Sequence, residues 1–291
     1  MQFSLIEAAV SCGSPTRGTE QAYQTLMRGG LQDLFPDSIS YPMEHLAPSE
    51  NDPPHLRHLN TVVEVSRRLR SAVLDSLDRQ LFPLIVGGDH SISMGSLAAL
   101  GEFYGAENMA VVYIDAHSDI NTERTSVSGC IHGMDLAAAC GLCCDELTIG
   151  RQKVNLYGKN LHILGGRSID PPEYDIMRQQ SVRLHSAAEL RQRGLDTVLG
   201  ELCLQLQGKC VHISLDVDSM DPSEFSSTGY LIDGGLRRED VKQILRCVLS
   251  TGRCVSFECV EYNPLLDQDG RDKATMLDFF STVKDSLADC I

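Results

Sequence analysis

The sequence predicts an α/β fold in which a mainly parallel central β-sheet is flanked by helices on both faces. Short runs rich in Val, Ile and Leu alternate with longer stretches whose apolar residues recur at helical intervals, and this alternation is typical of parallel sheets with crossover helices. No internal repeat, low-complexity tract or charge block interrupts the alternation. We therefore interpret residues 1–291 as one domain.

Six runs are interpreted as strands, because they are short and mostly apolar, as buried strands are. They are Phe3–Val10, Leu84–Val86, Met109–Ile114, Asn160–Leu164, Val211–Leu215 and Arg253–Phe257. Apolar residues at helix-face spacing predict helices over Leu59–Leu81, Ala187–Leu206, Arg237–Leu249 and Ala274–Ala288. The segment Pro36–Pro54 holds five of the eleven prolines, so we predict an irregular connection there.

The chain carries a formal net charge of −15. An excess of acidic groups disfavours nonspecific binding to nucleic-acid phosphates. It suits cationic small molecules or metal ions, although an acidic surface also serves simply to keep a protein dissolved. The N-terminus lacks a basic segment followed by an apolar stretch, and no apolar run approaches the roughly 18 residues of a membrane span. We therefore predict a cytoplasmic protein without nucleic-acid or membrane partners.

Eleven cysteines are present, and their odd number and irregular spacing favour reduced thiols over a disulfide framework. Cys140 and Cys143 have the Cys-x-x-Cys spacing of some zinc and redox sites. No second pair of comparable spacing follows. We therefore favour an interpretation as ordinary helix-end cysteines.

Metal-type ligands follow three of the predicted strands. In chain order they are His90 after Leu84–Val86, then Asp115, His117 and Asp119 after Met109–Ile114, and finally Asp216 and Asp218 after Val211–Leu215. In an extended backbone alternate residues point the same way, and the carboxyl ends of parallel strands share one edge of the sheet. We therefore expect the six side chains to converge on one pocket.

Taken singly, each of these residues has an ordinary alternative, because an Asp after a strand often caps a helix or closes a turn. Together, the four aspartates and two histidines would gather about four negative charges, and such a cluster requires compensating cations. Two divalent ions would balance it, and the mixture of oxygen and imidazole ligands favours Mn²⁺, with Zn²⁺, Co²⁺ and Fe²⁺ as alternatives. Two ions about 3.5–4 Å apart can share and deprotonate a water molecule, which supplies a nucleophile for hydrolysis.

Four segments resemble the successive signatures of the ureohydrolase family, which includes arginases, agmatinases and formiminoglutamases. They are Gly87–Ser91, Asp115–Asn121, Ser214–Pro222 and Phe257–Pro264. The resemblance implies the arginase-like fold, hydrolysis of a C–N bond in a linear amidine, and two Mn²⁺ ions bridged by hydroxide. It implies that one ion is held by His90, Asp115, Asp119 and Asp216, and the other by Asp115, His117, Asp216 and Asp218.

The loop Asp119–Met134 resembles the arginase form of the family, which implies cleavage of L-arginine to L-ornithine and urea. The resemblance implies that three residues are catalytic: Asp119, His132 as a proton shuttle and Glu261 as a guanidinium-binding carboxylate. It also implies contacts to the amino-acid end of the substrate at Asn121, Ser128 and Asp170. Ordinary alternatives are a solvated loop histidine, a glutamate that stabilises the turn before Pro264, and a helix N-cap at Asp170.

Departures from the arginase pattern fall close to the site. Cys130 stands where arginases usually have Asn, and Tyr230 stands where a small Thr usually follows Thr-Gly. Near the N-terminus, Glu7–Ala9 replaces the usual Gly-Ala-Pro. These changes leave the metal ligands intact and alter the positioning of substrate. We therefore hypothesise that Cys130 and Tyr230 lower the efficiency on L-arginine or favour another guanidino or amidino compound.

Two alternatives remain open. A related amidinohydrolase, such as an agmatinase-like or formiminoglutamase-like enzyme, would use the same metal ligands, although Asn121 and Ser128 favour an amino-acid substrate over agmatine. A metal-binding homologue with little turnover is the other alternative, and the complete set of ligands with His132 and Glu261 argues against it. The resemblance also suggests a homotrimer or a homohexamer.

Overall fold

The computed structural model describes residues 1–289 and contains one sheet of eight strands. The strands are β1 (Phe3–Ala8), β2 (Ile39–Tyr41), β3 (Phe82–Gly87), β4 (Met109–Ile114), β5 (Leu161–Leu164), β6 (Arg183–His185), β7 (Cys210–Asp216) and β8 (Cys254–Val260). Their order across the sheet is β2-β1-β3-β8-β7-β4-β5-β6, and every neighbouring pair is parallel. The predicted parallel sheet is therefore confirmed.

Helices connect the strands and pack on the sheet. They are α1 (Ala22–Leu26), α2 (Gln32–Leu34), α3 (Leu59–Asp78), α4 (Ser93–Tyr104), α5 (Asp135–Ala139), α6 (Pro171–Gln180), α7 (Ala187–Arg193), α8 (Leu195–Gln205), α9 (Arg238–Leu249) and α10 (Arg271–Ala288). Among the described residues, none of these helices is both long and apolar enough to cross a membrane. Cys140 and Cys143, which have the Cys-x-x-Cys spacing, are both buried free thiols.

Two hydrophobic cores lie on opposite faces of the sheet. Successive side chains of a strand point to opposite faces, and in β4 Val112 contributes to the core formed with α8, α9 and α10, whereas Val111 contributes to the core formed with α3, α4 and α5. Burial on both faces explains why the central strands are apolar throughout. Helices on both faces, as predicted, are therefore present.

The structure contains elements that the periodicity did not predict. Strands β2 and β6 are three-residue edge strands, and β2 lies in the segment that we predicted to be irregular. Helix α4 is buried from Ser93 to Gly101, so it lacks the polar face by which an amphipathic helix is identified. The predicted helix Ala187–Leu206 is divided into α7 and α8 at Gly194, whose φ of 82° belongs to the left-handed region.

The strand order decides where the functional residues meet. The chain passes from β3 to β4 across the positions that β8 and β7 fill later. The carboxyl ends of β3, β8, β7 and β4 are therefore adjacent at the centre of one edge. Ligands of parallel sheets bind at such edges.

Candidate metal centre

All six predicted metal ligands lie at this central edge. His90 follows β3, Asp115, His117 and Asp119 follow β4, Asp216 is the last residue of β7 and Asp218 lies in the turn after it. All are buried except His117, which is partly exposed. The sheet thus brings together residues that are up to 128 positions apart in the chain.

His90 is surrounded by carboxylates. Its Nδ1 atom lies 3.1 Å from Asp115 Oδ2, 3.3 Å from Asp119 Oδ2 and 3.1 Å from Asp216 Oδ2. The other ring nitrogen, Nε2, lies 2.8 Å from the hydroxyl of Ser214. That hydrogen bond fixes the orientation of the imidazole, as is usual for histidines that bind metals.

A second group of ligands adjoins the first and shares Asp115 with it. His117 Nδ1 lies 3.4 Å from Asp115 Oδ1 and 3.2 Å from Asp218 Oδ2. The two oxygens of Asp115 therefore face different histidines. A carboxylate in this position can bridge two cations.

The donor set fits divalent metal ions. Donor atoms bonded to a small divalent ion at about 2.1 Å lie about 3 Å apart in octahedral geometry, close to the separations in both groups. Two subsets of the residues each offer ligand atoms within 4.8 Å of one another. One is His90 with Asp115 and Asp119, and the other is Asp115 with His117 and Asp218. Among the described residues, Asp115 Oδ2 is buried and has no hydrogen-bond partner apart from its 3.1 Å ion-pair contact with His90 Nδ1, so it keeps a lone pair for a cation.

Without metal, the cluster retains protons. Burial alone would lower the pKa of His90, but hydrogen bonds to Asp115 and Asp119 raise that pKa well above its ordinary value of 6.5. Burial and the neighbouring carboxylates also raise the pKa of Asp216 well above its ordinary value. The pKa of His117 is raised in the same way, because Asp218 outweighs burial. Protons thus partly neutralise a cluster that divalent ions would neutralise directly.

Two residues of the site have left-handed backbone conformations that are uncommon outside glycine. The φ angles are 44° at Asp119 and 63° at Glu261. The extended backbone that we expected beyond Asp115 is therefore wrong at Asp119, whose side chain reaches the cluster by a turn. The conformation is held by its surroundings, because Asp119 O accepts from Leu136 N at 3.1 Å. Strained conformations of this kind are typical of functional sites.

His132 and Glu261 form a buried pair beside the cluster. His132 Nδ1 lies 3.1 Å from Glu261 Oε1, and the same oxygen accepts from the backbone N–H of His90 at 3.0 Å. Burial would lower the pKa of His132, but Glu261 outweighs burial and raises it from 6.5 to about 9. Among residues 1–289, Glu261 Oε2 is buried without a hydrogen-bond partner. That oxygen is a free acceptor facing the pocket.

A pocket of about 330 Å³ opens onto this cluster. Six carboxylates contribute to its lining, namely Asp119, Asp170, Glu173, Asp216, Asp218 and Glu261, and no Lys or Arg of the described residues does. The pocket also includes Asn121, Ser128 and Cys130. It is therefore suited to a small molecule with a cationic group at the carboxylates and a second end that reaches amide and hydroxyl groups.

The residues predicted for the amino-acid end lie together in this pocket. Asn121 Nδ2 donates to Asp170 Oδ2 at 3.1 Å, and Ser128 Oγ accepts from Cys130 N at 3.2 Å. Asp170 precedes Pro171, where α6 begins, and its backbone N–H donates to Glu173 Oε2 at 2.8 Å. Asp170 thus occupies the helix N-cap position and also faces the pocket.

Tyr230 packs against both histidines that face the pocket. Its ring is stacked on His132, with ring centroids 5.7 Å apart and an interplanar angle of 25°. Its edge meets the ring of His117 at 5.4 Å and 73°. Tyr230 therefore narrows the space between the candidate metal ligands and the candidate proton shuttle.

Several residues around the cluster were not identified from sequence. Tyr113 and Asp135 are fully buried behind His90, and Tyr113 resembles any other apolar strand residue in the sequence. Burial raises the pKa of Glu173 to about 7, and its Oε1 accepts from Ile120 N at 3.1 Å. Arg167 donates to the carbonyls of Asp218, Ser219, Met220 and Ile232. Arg167 stands in a Gly-Arg-Ser motif in the sequence, but hydrophobic periodicity gives no information on the hydrogen bonds that it forms.

Comparison with known proteins agrees with this geometry. A family profile described as "Arginase family" matches residues 2–283. The arginase of Bacillus caldovelox is 32% identical over 277 residues, which cover 91% of this chain and 92% of that protein. Its solved native structure superposes with a TM-score of 0.91 at 29% identity, covering 97% and 98% of the two chains. The arginase of Entamoeba histolytica in complex with L-ornithine superposes with a TM-score of 0.87 at 26% identity, covering 97% of each chain.

Proposed function

Because the chain belongs to the arginase family, a family of hydrolases acting on C–N bonds of linear amidines, we propose that it converts L-arginine to L-ornithine and urea. One observation carries this proposal: the two groups of candidate metal ligands that share Asp115 lie beside the Glu261–His132 pair in one acidic pocket. The two groups serve different parts of one reaction. The first would hold the metal ions that activate water, and the second would bind the guanidinium group and move a proton.

The proposed cofactor is two Mn²⁺ ions per chain. His90, Asp115, Asp119 and Asp216 would hold one ion, and Asp115, His117, Asp216 and Asp218 would hold the other. Bound there, the ions would lower the pKa of a water molecule and supply hydroxide near neutral pH. The shared position of Asp115 between His90 and His117 supports this assignment.

Glu261 and His132 would act on the substrate itself. A guanidinium group presents paired N–H donors that a carboxylate accepts, and Glu261 offers a buried oxygen without a partner among the described residues. His132, whose pKa is raised to about 9, carries a proton near neutral pH. It would give that proton to the amine that leaves as ornithine. Tyr230, stacked on the imidazole, would limit the positions that His132 can take.

The amino-acid end of the substrate would lie between Asn121, Ser128 and Asp170. Asp170, as an anion, suits the α-amino group, while the hydroxyl and amide suit the carboxylate. Support comes from the relative of Entamoeba histolytica, whose structure is a complex with L-ornithine. We further propose that residues 1–291 act as one ureohydrolase domain, in a cytoplasmic homotrimer or homohexamer.

The direct test is an assay of urea and amine release by the Mn²⁺-loaded protein from L-arginine, agmatine and formiminoglutamate. We expect urea from L-arginine in preference to agmatine. Release from another compound alone would assign the related amidinohydrolase activity. Two bound Mn²⁺ ions with no release from any compound would assign the protein as a metal-binding homologue with little turnover.

A further inference from the structure

An arginine lies beside the pocket at a position that no motif indicates. Arg57 Nη1 lies 3.8 Å from the sulfur of Cys130, and Cys130 lines the pocket. The backbone N–H of Cys130 in turn donates to the hydroxyl of Ser128. Arg57, Cys130 and Ser128 are therefore contiguous at the proposed amino-acid end.

The backbone of Arg57 is fixed to the loop that carries these residues. Arg57 N donates to Gly129 O at 2.9 Å. Gly129 has a φ of 69°, and a Cβ atom added there would come within 2.1 Å of Pro54 O. The two loops therefore pack backbone to backbone, and only glycine fits at the contact. This packing fixes the backbone of Arg57 beside the loop that carries Cys130, within reach of the contact between its guanidinium and the Cys130 sulfur.

The guanidinium of Arg57 is available for an anion. No carboxylate within the described residues forms an ion pair with it, and it donates to the sulfur of Cys130, which is a weak acceptor. The pocket lining offers six carboxylates and no Lys or Arg of residues 1–289, and its two histidines, His117 and His132, are paired with Asp218 and Glu261. Arg57, which makes no such pair among the described residues, therefore offers an anionic substrate group a cation beside Ser128 and Cys130.

We propose that Arg57 binds the carboxylate of the substrate and so restricts the site to guanidino or amidino compounds that end in a carboxylate. The inference rests on the proposed function, and it identifies the residue that selects the substrate class. Arg57 donates to the substrate carboxylate in place of the Asn amide that arginases usually have at the position of Cys130. A guanidinium is a stronger donor to a carboxylate than an amide is, because it is charged and can bind both oxygens.

The test compares L-arginine with L-argininamide, which keeps the guanidinium and α-amino groups but lacks the carboxylate. Wild-type protein, Arg57→Gln and Arg57→Lys are assayed with Mn²⁺, and Arg67→Gln, a change of an exposed arginine on α3, is the matched control. We expect Arg57→Gln to raise KM for L-arginine about tenfold, as for loss of a partly exposed charged hydrogen bond. The kcat on L-arginine and the KM for L-argininamide should stay within about twofold, and Arg57→Lys should recover part of the loss.

Equal losses on both substrates, or no loss on either, would overturn the assignment of Arg57. If the wild-type protein hydrolyses neither compound, the proposed function fails and the inference is tested by equilibrium binding. Preferential binding of L-arginine over L-argininamide that disappears in Arg57→Gln would support it. A preference that the substitution leaves unchanged would overturn it.

An independent observation concerns the opposite side of the cluster. The hydroxyl of Tyr113 is fully buried and lies 2.8 Å from Asp119 Oδ2 and 3.2 Å from Asp135 Oδ2. The ring of Tyr113 stacks on His90 with an interplanar angle of 3° and a centroid distance of 4.4 Å. The same hydroxyl lies 2.9 Å from His90 Nδ1, so Tyr113 contacts two candidate metal ligands.

We infer that Tyr113 is a positioning residue that orients two candidate ligands, Asp119 by a hydrogen bond and His90 by ring stacking. Asp119 needs such support because its backbone is in the left-handed region. Asp135, at the start of α5, confines the hydroxyl from the other side. Outer partners of this kind are worth about 10–100-fold in metal affinity.

The test is Tyr113→Phe, which keeps the ring and removes the hydroxyl, with Tyr104→Phe as control. Free Mn²⁺ is measured by electron paramagnetic resonance, and thermal unfolding is followed in chelator. We expect Tyr113→Phe to raise the Kd of one ion about tenfold or more. An unchanged Kd with a lower Tm in chelator would show a purely structural role and overturn the inference. An unchanged Kd with an unchanged Tm would overturn it as well.

Discussion

Glu261 Oε1 lies 3.1 Å from His132 Nδ1 and also accepts the backbone N–H of His90. One carboxylate therefore links the candidate proton shuttle to the backbone of a candidate metal ligand. The φ of 63° at Glu261 and the hydrogen bond from Glu261 N to Gly88 O at 2.9 Å fix the side chain between them. The charge state of His132 thus depends on Glu261, which directly follows strand β8.

Glu261→Gln should lower the pKa of His132 toward 6.5 from its value of about 9. The raised pKa means that His132 contributes its full stabilisation near pH 6 and loses it as the pH rises through about 9, while in acid the pair is lost by protonation of Glu261, whose pKa burial raises. The variant should therefore be less stable than the wild type by about 1–3 kcal/mol at pH 6, and the difference should disappear above pH 9.

Histidine NMR and urea unfolding of the metal-free proteins measure both effects. His162, whose pKa burial lowers to about 4, serves as an internal control that the substitution should not change. If His132 titrates at the same pH in both proteins, Glu261 is not the source of the raised pKa.

The metal assignment predicts a loss of one ion when one cluster is disrupted. Wild-type protein should retain two Mn²⁺ per chain, whereas His117→Asn and Asp218→Asn should retain one, because the ligands around His90 are unchanged. Since the pKa values of His90 and His117 are raised in the metal-free chain, binding at pH 7 should release protons.

Metal analysis after gel filtration gives the stoichiometry, and calorimetry in buffers of different ionisation enthalpy gives the proton release. The control is His185→Asn, which should retain two ions. His185 lies on the edge strand β6 and pairs with Glu189. Retention of two ions by His117→Asn would contradict the assignment of the second cluster.

Much of this arrangement could be predicted from the sequence, because its signals are local. The apolar runs of β4 and β7 and the ligands directly after them identify both the sheet and the edge at which the ligands meet. Other features depend on contacts that no local pattern contains. Tyr113 lies within an apolar strand as a core residue would, and Arg57 reaches Cys130 from 73 positions away. The left-handed turn at Asp119 was missed because a strand pattern does not encode where the extended backbone ends.

The double substitution Cys130→Asn with Tyr230→Thr should raise kcat/KM on L-arginine by about tenfold. Tyr230 occupies space between His117 and His132, and Cys130 offers only a weak donor, so the change enlarges the pocket and restores an amide. Tyr230→Phe, which keeps the ring, is the matched control and should show no gain. Absence of improvement in the double variant would reject the hypothesis that these two residues limit the reaction with L-arginine.

Arg167 joins the ends of β4 and β7, and its replacement by Lys should weaken one metal site selectively. Its Nη2 donates to Asp218 O at 2.8 Å and its Nη1 to Ser219 O at 3.0 Å, while its own backbone N–H donates to Ala116 O at 2.8 Å. A lysine ammonium cannot reproduce this planar set of donors. With each lost hydrogen bond worth about 1 kcal/mol, the variant should lose about 2–4 kcal/mol of unfolding free energy.

The effect on metal binding should be confined to the ion held by His117 and Asp218, because Arg167 fixes the backbone of Asp218 and not that of His90. We expect Mn²⁺ titration of Arg167→Lys to show one site of wild-type affinity and one that is about tenfold weaker. Arg191→Lys is a suitable control, since Arg191 donates to Gly234 O and Gly235 O of the same loop at a distance from the ligands. If both sites weaken together in Arg167→Lys, the arginine stabilises the sheet edge as a whole rather than the turn that carries Asp218.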